Sequence, residues 1–436
     1  MNAIVDFTSS KRNASYLDVA SLFARVFILV VVGCLVLSAN TLYANVGDRK
    51  LQVALCAVCF LSSFAASLLL WLNKPLSVSF LTQWLIYVAY VMFAYMCVGM
   101  LTGSFGGKRM AIAAGNLAIA PFFLKMLYES DNLEFTINAF VVTVVFLAIA
   151  SDVLWVLGPI ANIIPSNCEI MSSWGSAWSS YGRTATAKPG WYGLLFVTQT
   201  SDDFGVSIVR NTGIYCEAPM YSYVLCIALI AEKYLRRNPR PSVCIILGIT
   251  ILTTISTTGI ICLLLIIAQT IYSMADRLSP KVKTLLRILF IPVLAVTVTM
   301  IFFLFKQKID SPSGGGITRV DDFAAGFKAW QNNLLVGNGF GADEVIQSYM
   351  SSFRSGNLGF SNALMDVLAK GGLLWFFTFV PGIVGFFHME RKQTFGMLCF
   401  LFIWTITNVA ILPITLFCFG VGSATVFSDG QGSRNV

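Results

Sequence analysis

Apolar runs of about 17 to 25 residues recur along the whole of this sequence, each long enough as a helix to cross roughly 30 Å of hydrocarbon. In hydrocarbon every backbone N–H and C=O must find a partner within the protein, so such runs commit the chain to helices. Composition agrees: 57% of the 436 residues are hydrophobic and only 11% charged, where a soluble domain carries roughly 25% charged residues. The expected fold is an all-α polytopic membrane protein, one membrane domain with about eleven or twelve transmembrane helices.

The runs place spans at 20–43, 51–73, 79–103, 109–128, 135–160, 218–235, 242–257, 258–275, 285–305, 368–387 and 395–418. The first follows Lys11 and Arg12 but is too long for the apolar part of a secretory signal, so it reads as an uncleaved helix. The stretch from Pro241 to Ala275 exceeds one crossing, and Ser256, Thr257, Thr258 and Gly259 divide it. That division puts the basic loop of Arg236, Arg237 and Arg240 on the same side as Arg277, Lys281, Lys283 and Arg287. Lys11, Arg12, Lys74, Arg391 and Lys392 join them, which marks this side as cytoplasmic. The loop of Glu129, Asp131 and Glu134 falls there too, an acidic misfit. Two long loops, 161–217 and 306–360, lie outside. Beyond Thr394 the sequence holds either one helix or two around Pro413, which leaves the side of the C-terminus open.

The formal charge of +8 comes from bases in short loops between spans, not from a folded basic domain, so nucleic-acid binding is excluded. His388 is the only histidine, which rules out a His-based catalytic triad or zinc site. Nine of the eleven cysteines lie in apolar runs and read as packing; Cys56 and Cys59 have a CxxC spacing but no second ligand pair. Cys168 and Cys216 share the first long loop, and whether they pair stays open.

Both long loops carry polar chemistry at the membrane surface. The first holds Trp174, Trp178, Tyr181, Trp191 and Tyr192 among Ser and Gly, with Arg183 and Lys188 between them. Such rings read either as interface anchors or as a surface on which sugars stack. This loop ends in RNTGIYCEAP (210–219), where Pro219 suits the first turn of the next helix. Arg210 and Glu217 then sit at the outer surface, with an ion pair that stiffens the loop as the plain alternative. The second loop carries Arg319, Asp321, Asp322, Trp330 and GNGFG (337–341), a tight turn by itself, and returns through SNALMDVLAKGGL (361–373).

Taken in order, RNTGIYCEAP, the STTG break, Arg319 with Trp330 and GNGFG, and the SNALMDVLAKGGL return resemble the bacterial polysaccharide polymerases and O-antigen ligases, over the C-terminal half. The resemblance implies a membrane glycosyltransferase that takes glycans from undecaprenyl diphosphate on the periplasmic side of the bacterial inner membrane, alongside flippase and chain-length-regulator partners. A glycosyl diphosphate already has a good leaving group, so neither cofactor nor metal is required; positive charge on the departing diphosphate helps. Arginine binds phosphate through its fork and stays charged, which selects Arg210 and Arg319, with Arg183 and Lys188 behind them. Glu217 is the expected base for the acceptor hydroxyl. Asp322 and Asp366 stand in reserve, and Asn362 and Tyr215 are expected at the substrate. The ligase branch carries a His before the return-segment Asn where this chain has Ser361, which favours a polymerase over a ligase. A flippase is the third reading. It is disfavoured because no internal repeat is visible and Arg25, Lys125 and Asp152 are the only charges well inside spans.

Overall fold

A computed structural model describes residues 2–46, 49–174, 184–201, 207–275, 315–354 and 357–427. The chain is an all-α polytopic membrane protein. Its helices are α1 (Asn2–Leu37), α2 (Lys50–Asn73), α3 (Val78–Thr102), α4 (Gly107–Glu129), α5 (Leu133–Trp155), α6 (Ala218–Ile230), α7 (Pro241–Thr253), α8 (Thr257–Ala275), α9 (Gly315–Gln331), α10 (Asp343–Ser348), α11 (Ala363–Phe376), α12 (Val380–Phe386), α13 (Arg391–Thr405) and α14 (Pro413–Val426). Single π turns, Val156–Ile160 and Ala231–Leu235, extend α5 and α6.

Among the described residues six helices are long and apolar enough to cross a membrane: α2, α3, α4, Ala20–Leu37 of α1, α5 with its π turn, and Thr257–Met274 of α8. The count rises to seven if α11 and α12, bent by 87° at their junction, form one span. Several of the other expected spans are shorter or divided helices. At about 1.5 Å per residue, the 13 residues of α7 and the 14 of α14 fall short of the hydrocarbon thickness. The expected span 368–387 is the bent α11–α12 pair, 395–418 divides into α13 and α14, and 285–305 lies outside the described residues.

The divided stretch behaves as expected. α7 and α8 form an antiparallel hairpin, with Gly248 against Leu263, around a turn at Thr254–Ser256 where Ile255 takes φ +51°. One face of the bundle, the loop face, gathers the connections α1–α2, α3–α4, α7–α8 and α13–α14 with both long loops. Its ties include Leu42 N–H to Ile214 O (2.8 Å), Phe340 N–H to Ser104 O (3.2 Å) and the Arg319 guanidinium to Ile406 O (2.6 Å). The opposite face gathers α2–α3, α4–α5 and α6–α7, and here the acidic misfit resolves. Asp131 faces Lys74 at 3.9 Å, Glu129 pairs with Lys125 at 2.8 Å, and Glu134 pairs with Arg236 at 3.0 Å. The acids of one turn neutralise the bases of its neighbours. Phe427, just past α14, meets Phe80 near the start of α3, so the described C-terminal end lies on the opposite face.

Small residues set the tightest helix crossings, as expected where lipid supplies no hydrophobic drive between helices. A Cβ on Gly385 of α12 would stand 1.8 Å from the Gly422 carbonyl of α14, and one on Gly420 would stand 2.6 Å from Cβ of Ala120 in α4.

The first long loop is not irregular throughout. β1 (Cys168–Ser172), β2 (Thr186–Trp191) and β3 (Leu195–Phe196) form an antiparallel sheet in that order, and β4 (Thr200–Ser201) pairs with β5 (Ile208–Val209).

Candidate functional site

The site begins where the first loop re-enters the bundle. Asn211 and Thr212 are fully buried. Asn211 donates through its side chain to Asp152 of α5 (2.9 Å) and to Thr253 of α7 (3.1 Å), while Thr250 and Thr253 also donate to Asp152 (2.6 and 2.9 Å). Asp152 is therefore a polar anchor inside the bundle that ties α5, α7 and the loop together. Directly above it, Arg210 donates from Nε to Thr254 O (2.9 Å) and from Nη2 to Ile255 O (3.2 Å), in the α7–α8 turn.

The run continues as a short ladder against the α1–α2 connection. Leu42 N–H donates to Ile214 O (2.8 Å) and Cys216 N–H to Asn40 O (3.0 Å). Glu217 follows in extended conformation as the N-cap of α6, with Pro219 in the first turn as expected. The indole of Trp174 donates to Glu217 Oε1, and Arg49, at the start of α2, lies over the Trp174 ring at 5.1 Å.

The second loop brings Arg319 to the same place. It rises from α9, donates to Ile406 O in the α13–α14 turn (2.6 Å), and acts on Glu217 electrostatically together with Arg210. Burial raises the Glu217 pKa above the ordinary carboxylate value, opposed by the Trp174 bond and then by the two guanidiniums. Burial likewise lowers the Arg319 pKa, with Asp322 and Glu217 pushing it back up. Two arginines about a hundred residues apart in sequence thus act electrostatically on one carboxylate at the loop face. Such a group can hold a polyanion and accept a proton beside it.

Other expected site residues have different settings. Asp322 is buried, with its carboxylate occupied by Arg354 (2.9 Å) and by Ser361 N–H (3.0 Å) and Oγ (2.5 Å). Asp366 pairs with Lys370 at 2.6 Å, and Lys370 also holds Asp343 at 2.7 Å. Asn362 caps α11 by accepting from Met365 N–H (2.9 Å). Tyr215 is fully buried and stacked on Tyr221, with centroids 5.0 Å apart. Lys188 lies mid-strand in β2 opposite Ile170, and Arg183 falls outside the described residues.

The aromatic segment divides as well. Trp191 is buried and donates to Ile164 O (2.8 Å), Trp174 belongs to the site, Tyr192 is exposed, and Trp178 and Tyr181 fall outside the described residues. Cys168 and Cys216 are both free thiols around one small apolar cluster with Leu42 and Phe196. His388 closes α12 by contact with Val384 O (3.0 Å).

Sequence reasoning missed Arg354, which holds the second loop together. It is 2% exposed and bonds Asp321 (3.3 Å) and Asp322 (2.9 Å), together with the carbonyls of Thr318, Asn357 and Gly359. It also missed Arg49, a single base in a short connection, since no local spacing marks a residue that meets Trp174 only through the fold. GNGFG works by close approach. Asn338 and Gly339 donate to the carbonyls of Ala369 and Lys370 (2.9 Å each), and Gly337 lies so near that a Cβ there would stand 2.5 Å from the Lys370 carbonyl carbon.

No protein-family model, curated relative or solved structure matches the chain.

Proposed function

We propose that this protein is a polysaccharide repeat-unit polymerase of the bacterial inner membrane. It transfers a growing glycan from undecaprenyl diphosphate to a new lipid-linked repeat unit at the periplasmic surface. What supports this reading is that Arg210 and Arg319, from separate loops and each held by backbone carbonyls of interhelical turns, both act electrostatically on the partly buried carboxylate of Glu217.

The acceptor hydroxyl oxygen attacks the anomeric carbon of the donor and the bond from that carbon to diphosphate oxygen breaks. The hydroxyl proton passes to Glu217, and undecaprenyl diphosphate departs with its charge met by the two guanidiniums. A carboxyl whose pKa is raised by burial is a stronger base once ionised, which suits this step. The carbonyls of Thr254, Ile255 and Ile406 orient the guanidiniums without adding negative charge through those bonds. Ser361, where the ligase branch carries His, donates to Asp322 and braces the return segment.

The test is incubation of the purified protein, reconstituted in lipid, with one defined undecaprenyl-diphosphate repeat unit. A ladder of longer glycans is expected. Product only with an added lipid A core acceptor would replace the reading with ligase, and translocation without a new glycosidic bond would replace it with flippase.

A further inference from the structure

Helix α9 is amphipathic the wrong way round for a helix in water. Its polar residues Asp321 and Asp322 are buried, with Ala325 and Ala329, while Val320 (54% exposed), Phe323 (50%) and Phe327 (38%) face outward. Within the helix the stripe of Val320, Phe323, Phe327 and Trp330 keeps a helical spacing, and past its end at Gln331 the following turn adds exposed Leu334 (48%) and Leu335 (68%). The rings are mutually ordered, Phe323 stacked on Phe327 at 6.3 Å and Phe327 edge-on to Trp330 at 5.8 Å. A monomeric protein in water rarely leaves a contiguous aromatic face of this kind uncovered.

We infer that α9 lies in the plane of the membrane, with this stripe inserted among phospholipid acyl chains on the loop face. Continuity with the membrane-crossing body names the occupant. The carbonyls of Leu334 and Leu335 accept from Leu373 and Leu374 N–H (2.9 Å each), in the bent α11–α12 pair. Leu374 O in turn accepts from Tyr90 of α3 (2.9 Å), and the outer end of α3 exposes Met100 (66%) and Leu101 (71%). The stripe is thus an extension of the lipid-facing belt of the spans. Lys328 is exposed beside it, and a lysine so placed can lay its stem along apolar surface while its ammonium reaches water. Arg319, one residue before the stripe begins, is thereby held at headgroup depth.

The test replaces Phe323, Phe327 or Leu335 singly with p-benzoyl-phenylalanine in the full chain. Each variant is reconstituted in phosphatidylethanolamine–phosphatidylglycerol vesicles, irradiated and read by mass spectrometry. Leu101, on the lipid-facing flank of α3, serves as positive control, and exposed Glu344 of α10 as negative control. Phospholipid adducts at all three stripe positions are expected, within about threefold of the yield at Leu101 and roughly tenfold above Glu344. Adducts to this chain's own residues 276–314 instead of lipid would overturn the inference. So would silence at the stripe while Leu101 reacts, and a failed insertion at one position leaves the other two to decide.

Discussion

The two long loops reach the same carboxylate by different constructions. The first is tied to the bundle from below, where neutral donors converge on one partly buried acid, Asp152, and its proposed site residues Arg210 and Glu217 lie on one short run. The second carries its own charged core, Arg354 between Asp321 and Asp322, and delivers Arg319 from a helix packed outside the spans. Arg354 and Arg319 teach the distinction best. One is buried and bonded to two carboxylates, its charge used to fold the loop; the other is bonded to a carbonyl oxygen, which positions a guanidinium without cancelling it.

The largest effect follows from breaking the charged core. Arg354→Ala leaves two buried carboxylates without their cation, which destabilises by about 3–5 kcal/mol and is read as a fall in the thermal midpoint of the detergent-solubilised protein. A triple change, Arg354→Met with Asp321→Asn and Asp322→Asn, removes the charges together and recovers much of that loss. If the single change is silent, the second loop is not held as described.

Removing the guanidiniums proposed to meet the diphosphate comes next. Arg210→Ala or Arg319→Ala lowers the rate of ladder formation by about 10²–10³, the range for loss of one electrostatic donor in an active site, with the thermal midpoint near that of the unaltered protein. Equal losses at both positions would confirm that the loops serve one headgroup. Loss at only one would separate them.

That pair also marks what was legible in the sequence. Arg210, Glu217 and Pro219 sit within ten residues next to an apolar run, so local pattern places them. The hairpin of α7 and α8 was legible too, because chain length and the Ser256–Gly259 break leave little choice. Arg354 was not, since its partners lie 32 and 33 residues away and only the fold brings them together. For the same reason Asp322 and Asp366 read as reserve bases, although the structure commits one to Arg354 and Ser361 and the other to Lys370. Helix length was less legible, because apolar composition does not report it. α7, one of the expected spans, is only 13 residues long, and the expected span 395–418 is divided between α13 and α14.

A smaller effect is expected from the neutral anchor. Asn211→Leu removes one of the three side-chain donors that reach Asp152 and the acceptor for Gly213 N–H (3.1 Å). The loss is about 1–3 kcal/mol, less than for Arg354 because Thr250 and Thr253 still hold the carboxylate. A loss as large as that of Arg354→Ala would mean both loops depend on charge in the same degree, and the contrast between them would fail.

The mildest change leaves both loops standing and moves only a proton. In the proposed reaction Glu217 must be ionised to accept the hydroxyl proton, so ladder formation is expected to rise with pH through its pKa, which burial raises above the ordinary carboxylate value. The Trp174 N–H stabilises the ionised form and thus lowers that pKa. Trp174→Phe keeps an aromatic ring beside Arg49 but removes the donor, so the pKa climbs further and the acid limb of the rate profile shifts to higher pH. Well above that limb the rate should approach that of the unaltered protein, which separates a displaced pKa from a damaged site. Arg319→Ala shifts the limb the same way, because it removes a positive charge that favours the carboxylate, but its rate stays low at every pH. A limb that moves to lower pH in Trp174→Phe would mean the titrating group is not Glu217.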